Sequence, residues 1–108
     1  MEFLAKKFDD LTKEELYELL HARCAVFLLE QGIVCQDLDR VDYDALHCFF
    51  WQGGAVAACL RAFYVAPDTV KIGRVLTRER GCGLGARLWE LIDLSWGILP
   101  SKRARLHF

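Results

Sequence analysis

Three features of this 108-residue chain predict an α/β (α+β) fold, a mixed and mostly antiparallel sheet flanked by helices. A capped amphipathic run follows a short N-terminal strand. Three β-rich segments then succeed one another through Gly- and Pro-containing turns. A glycine-rich turn finally joins the last of these to a second helical pattern.

Phe3 to Phe8 reads as the first strand. Thr12 is placed to cap a helix, with Glu15 as its capping-box partner and Leu11 and Leu16 at the spacing of a hydrophobic staple. Leu16, Leu19, Leu20, Cys24, Phe27 and Leu28 continue an apolar stripe, and Gly32 is the expected stop. The periodicity fits either one long helix or two, broken near His21-Ala22. An acidic connection, residues 33–45, carries Asp37, Asp39, Asp42 and Asp44. Cys48 to Trp51, Ala55 to Val65 and Thr69 to Thr77 read as a meander, turning at Gln52-Gly53-Gly54 and at Ala66-Pro67-Asp68. Leu84, Leu88, Leu91 and Ile92 make the inner stripe of a second helix, flanked by Trp89 and Trp96. Gly97 and Pro100 end it, and residues 103–108 form a last strand.

The length suits one domain, and 54% apolar with 27% charged residues is the composition of a folded chain. A net charge of −1 gives no broad footprint for nucleic acid. No apolar run has bilayer-spanning length and no signal-peptide pattern is present, so a cytoplasmic location and no membrane partner are expected. The five cysteines are odd in number and form no C-x-x-C pair, which argues against a zinc ribbon or a disulfide scaffold. Cys24, Cys48 and Cys59 read as small core residues, whereas Cys82 stands near a helix N-terminus. Asp37-x-Asp39-x-x-Asp42 lacks the glycine and closing glutamate of an EF-hand loop, and no metal is expected.

Arg80-Gly81-Cys82-Gly83-Leu84-Gly85 carries the chemistry. A glycine turn opening a helix aims unpaired N–H groups at the positive end of the helix dipole, a site for phosphate. Gly85-Ala86-Arg87 excludes a Walker A loop, which needs Gly-Lys-Ser/Thr. Gly81, Gly83 and Ala86 fit the dinucleotide pattern, but no carboxylate follows about 20 residues on. Arg80, Gly83 and Gly85 satisfy a third pattern, Arg/Gln-x-x-Gly-x-Gly.

That pattern and the order of elements resemble the GNAT N-acetyltransferase superfamily. Leu16 to Leu20, Arg23 to Phe27, Glu30-Gln31, Gln36 to Asp39, Asp42, His47 and Ile72-Gly73-Arg74-Val75 resemble its ElaA-like branch. The resemblance covers most of the chain as a single, partial GNAT domain over residues 1–108. It departs in a turn at Arg78-Glu79 about two residues short, and in a chain that stops near the end of the family's fifth strand. A C-terminally truncated sheet would expose an unpaired edge, so self-association or a strand-exchanged dimer is expected.

The resemblance implies transfer of an acetyl group from acetyl-CoA to a small-molecule or peptide amine. It implies that the backbone of Val75 and Thr77 meets the pantetheine. Arg80, Gly81, Cys82, Gly83, Leu84, Gly85 and Arg87 would hold the pyrophosphate. An ammonium must lose a proton before attack, and Glu30, His47 and Asp39 are the implied acid–base candidates. Arg23, Asp37 and Asp42 are implied at the acceptor side. A surface carboxylate for Glu30 and a structural histidine for His47 are the competing readings. Two other functions stay open: coenzyme or partner binding without turnover, and an acyl-homoserine-lactone synthase-like acyltransferase.

Overall fold

Five strands lie side by side in chain order, β1 (Glu2–Lys7), β2 (Leu46–Gln52), β3 (Ala55–Ala66), β4 (Thr69–Thr77) and β5 (Arg103–Leu106). This computed structural model describes residues 1–67, 69–78, 83 and 87, and the backbone of 103–106. The first four strands are antiparallel and β5 runs parallel to β4. The mixed, mostly antiparallel sheet is therefore present as expected. The second helical stripe and its flanking tryptophans lie outside the described residues.

The β2–β3 hairpin closes on Gly53 and Gly54, at φ +59° and +78°. Two consecutive left-handed residues make the tight turn whose twist matches antiparallel strands, and glycine takes both without a Cβ penalty. Residue 57 on β3 and one residue on β4 are supernumerary, because Phe50 pairs Ala58 while Trp51 pairs Val56, and Cys59 pairs Leu76 while Arg61 pairs Gly73. Each bulge inverts which residues face which side. Val56 and Cys59 thereby share a face, and Leu76 joins them although Ile72 points the other way.

One sheet face carries a buried apolar cluster of Leu46, Cys48, Phe50, Ala58, Leu60, Ala62, Val70 and Ile72. The other packs Phe49, Val56, Cys59 and Leu76 against the helix α1 (Lys13–Arg23). Its Thr12 hydroxyl accepts from the Glu15 amide at 3.1 Å and the Glu15 carboxylate accepts from the Thr12 amide at 2.8 Å, the reciprocal cap expected. Lys6 on β1 adds an ion pair to Glu15 at 3.0 Å.

The buried stripe differs from the expected one. Glu15, Leu19, Ala22, Arg23 and Val26 are buried, whereas Cys24 and Leu28 are exposed. Cys24 is thus not a core residue. Glu15 and Arg23 hide in the stripe because each is charge-paired, which a purely apolar pattern does not register. No break occurs at His21-Ala22. The helix continues as a π turn (Cys24–Glu30), with the Gln31 amide donating to the Val26 carbonyl at 3.0 Å. Gly32, at φ +68°, ends it, and the Ile33 amide reaches back to the Phe27 carbonyl at 2.8 Å. No helix among the described residues is long and apolar enough to cross a membrane.

Candidate functional site

On the helix-bearing face the apolar core stops at one cross-strand row. Lys6 pairs His47, His47 pairs Arg61 and Arg61 pairs Gly73, so polar side chains occupy that row on β2 and β3. Arg23 comes down from the last turn of α1, and Arg74 reaches over from the β4 bulge. Arg23, His47 and Arg61 are 3%, 2% and 4% exposed. Three buried or half-buried guanidiniums need carboxylates, and the acidic connection supplies them.

Asp42 takes Arg23 on both oxygens, at 2.8 and 3.2 Å, and Arg61 at 3.1 Å. Asp39 is gripped by Arg61 at 2.9 and 2.7 Å and lies 3.5 Å from Arg74. Asp37 pairs Arg23 at 2.9 Å and Arg74 at 2.8 Å, and its backbone carbonyl accepts from both guanidiniums at 3.0 and 3.2 Å. The irregular connection is thus moored to two strands and a helix by its own aspartates. The carboxylates that resembled a calcium loop are filled by arginine instead.

The electrostatics follow from those contacts. Hydrogen bonding from Arg61 outweighs desolvation and lowers the Asp39 carboxyl to about 2. Burial pushes Asp42 up, but Arg23 and then Arg61 more than offset it and hold it below the ordinary carboxylate range. Burial depresses His47, outweighing the support of the Asp42 carbonyl, 2.9 Å from its Nε2. Burial likewise raises the Cys48 and Cys59 thiols to about 12, making them inert core residues.

The mooring also shapes a cleft. Phe27 and Gln31 from the helix end, Ile33, Cys35 and Asp37 from the connection, and Arg74 and Val75 from β4 enclose a cavity of about 210 Å³. Arg74 sits there at φ +52°, a left-handed conformation that a non-glycine residue adopts only when held. Its guanidinium is held by Asp37. β5 pairs only Thr69 to Ile72, so among the described residues the outer edge of β4 from Gly73 to Thr77 has no strand partner. Beyond that edge Gly83 adopts φ +72°, and its carbonyl accepts from the Arg87 amide at 3.1 Å.

Of the residues singled out in the sequence, Arg23, Asp37, Asp39, Asp42 and His47 come together in the charged lattice. Val75 lies on the cleft and Thr77 ends β4. Glu30 is exposed at the end of the π turn, next to Gln31 of the cleft. Gly83 and Arg87 are seen as above, whereas Arg80, Gly81, Cys82, Leu84 and Gly85 lie outside the described residues. Sequence reasoning missed Arg61 and Arg74. A lone arginine inside the apolar run of β3 was the available signal for the first. Gly73, a glycine inside a strand, was the signal for the bulge that carries the second.

A sheet of four antiparallel strands with a fifth parallel to the fourth, a bulge in β4 and a helix packed on one face is the frame of the GNAT acyltransferases. The comparisons agree. No protein-family model matches the chain. It is 34% identical to an acyl-CoA N-acyltransferase of Pseudomonas aeruginosa, whose crystal structure superposes with a TM-score of 0.86 over 97% of this chain and 77% of that one. The crystal structure of Escherichia coli ElaA gives 0.87 at 31% identity, over 97% of this chain and 76% of the other. In sequence this chain is 38% identical to ElaA of Escherichia coli K12 over 85 residues, 73% of this chain and 56% of that protein. A Clostridium acetobutylicum acetyltransferase crystallised with acetyl-CoA shares the fold alone, with a TM-score of 0.71 at 12% identity. The chain belongs to the GNAT N-acetyltransferase superfamily, in its ElaA-like branch. It spans little more than half the length of the curated relatives it matches.

Proposed function

We propose that this chain takes part in acetyl-CoA-dependent transfer of an acetyl group to a small-molecule or peptide amine. The observation that carries this reading is the bulge at Arg74, from which the outer edge of β4 runs to Thr77 without a strand partner among the described residues. An extended pantetheine arm would add to that edge as a short strand does, with the backbone of Val75 and Thr77 facing its amides. The turn from Arg80 to Gly85 would meet the pyrophosphate through its amides, with Arg87 adding charge. The irregular backbone at Arg74 would leave an amide turned out of the ladder, suited to an oxyanion at the thioester carbon.

The acceptor nitrogen would attack that carbon, the thiolate would leave, and one proton would pass from nitrogen to a base. Asp39 serves badly as that base, because at neutral pH a carboxyl with a pKa near 2 takes up almost no proton. His47 is buried with its Nε2 at the Asp42 carbonyl. Glu30, exposed beside the cleft, is the base assigned in this reading. Arg23, Asp37 and Asp42 would act by holding the acceptor wall in place, since their charges are balanced within the lattice they form with Asp39, Arg61 and Arg74.

Isothermal titration with acetyl-CoA tests the reading, together with thiol release in the presence of an amine panel. Gly83→Val forces a β-branched residue into a left-handed backbone, and is expected to weaken binding about tenfold or more. Absence of coenzyme binding rejects the proposal. Binding without transfer to any amine keeps the coenzyme half and rejects turnover.

A further inference from the structure

The connection between the π turn and β2 separates two cavities. Ile33, Cys35 and Asp37 face the cleft beside β4. Leu38, Arg40 and Asp42 face a second cavity of about 310 Å³ on the other side, walled by Leu16 and Leu20 of α1 and by Phe8 and Tyr43. Phe8 and Tyr43 form an edge-on aromatic pair, centroids 4.8 Å apart, on its lining. The volume lies at the lower end of the range used for small ligands.

Two charged residues touch this cavity, and their situations are opposite. Asp42 is spent on Arg23 and Arg61. Arg40 takes part in no ion pair among the described residues. The nearby carboxylates of Asp9 and Asp44 line a separate cavity that also contains Lys7. Arg40 is further marked by its backbone, at φ +69° and ψ −6°. A bulky residue in the left-handed region is uncommon, and such residues concentrate where ligands are clamped. An open, mostly apolar groove whose one lining charge without an ion pair among the described residues is the exposed Arg40 guanidinium suits a molecule with an apolar body and an anionic end.

We infer that this second cavity binds a small amphipathic carboxylate, its hydrocarbon part against Leu16, Leu20, Leu38 and the Phe8–Tyr43 pair and its carboxylate on Arg40. The site is distinct from the β4 cleft and does not depend on acetyl transfer.

Titrating the chain with hexanoate, 1-hexanol and hexylamine, followed by amide and methyl NMR shifts, tests it. Hexanoate is expected to bind at millimolar concentration or tighter, perturbing Leu20, Leu38 and Tyr43. The alcohol and the amine should bind at least about tenfold more weakly. Arg40→Gln should cost hexanoate about tenfold and leave the alcohol unchanged. Leu38→Asp, at a side chain 56% exposed and so harmless to folding, should weaken both. The inference is overturned if hexanoate leaves these signals unmoved, if its perturbations cluster at Phe27 and Ile33 instead, if the alcohol or amine binds as well, or if Arg40→Gln has no effect.

Discussion

The two faces of the sheet solve the same burial problem differently. One carries an apolar cluster from Leu46 to Ile72 that includes none of the buried charged residues. The other begins the same way at Phe49, Val56, Cys59 and Leu76, then turns ionic at His47 and Arg61. Apolar packing is tolerant, because volume and pattern suffice to fold it. A buried guanidinium is not, because it demands carboxylates at fixed distances. The ionic half therefore does what the apolar half cannot: it dictates where an otherwise irregular segment lies, and with it one wall of the cleft.

The contrast breaks most visibly at Arg61. Arg61→Leu would extend the apolar part of the second face but strip Asp39 and Asp42 of a shared partner. The expected loss is about 3–5 kcal/mol in urea unfolding. A neutral result would mean that the lattice adds no stability.

Acid offers a second break. The Asp39 carboxyl is depressed to about 2 in the folded chain, against about 3.9 unfolded. Its contribution is thus complete above about pH 4 and disappears as the pH falls towards 2. Unfolding midpoints recorded from pH 6 to pH 2 should show that decline, flattened in Asp39→Asn. His47 works in a higher window. Its folded pKa lies below the ordinary 6.5, so the unfolded chain takes the proton first and stability falls as pH drops below about 6.5. His47→Gln should remove that component.

The smallest effect sharpens the distinction between distant and local polar contacts. Thr12→Ala removes a cap within one turn of helix and is expected to cost about 1 kcal/mol, read from the thermal midpoint. A cost approaching that of Arg61→Leu would erase the difference.

Much of the frame could be read beforehand because its causes are local. The Thr12–Glu15 box, the Gly53-Gly54 turn and the span of β4 each depend on a few neighbouring residues. The ionic half was hidden because Asp37 meets Arg74 across 37 positions and Asp42 meets Arg61 across 19. The aspartates were recognised as a group, but nothing local says which cations answer them. The expected helical stripe failed for the same reason, since pairing lets Glu15 and Arg23 be buried. The swing from α to π geometry after Arg23 left no Gly or Pro to announce it.

That swing sets the phase of everything after it. A π turn absorbs one residue more than an α turn of the same advance, so winding the same seven residues from Cys24 to Glu30 as ordinary α-helix would over-rotate the helix end. The helix would then deliver its C-terminus rotated by about 100°. Gly32 would launch the connection towards a different bearing, and Asp37 would leave with its two cations on the far side. The winding of this short stretch acts as an angular setting for the cleft.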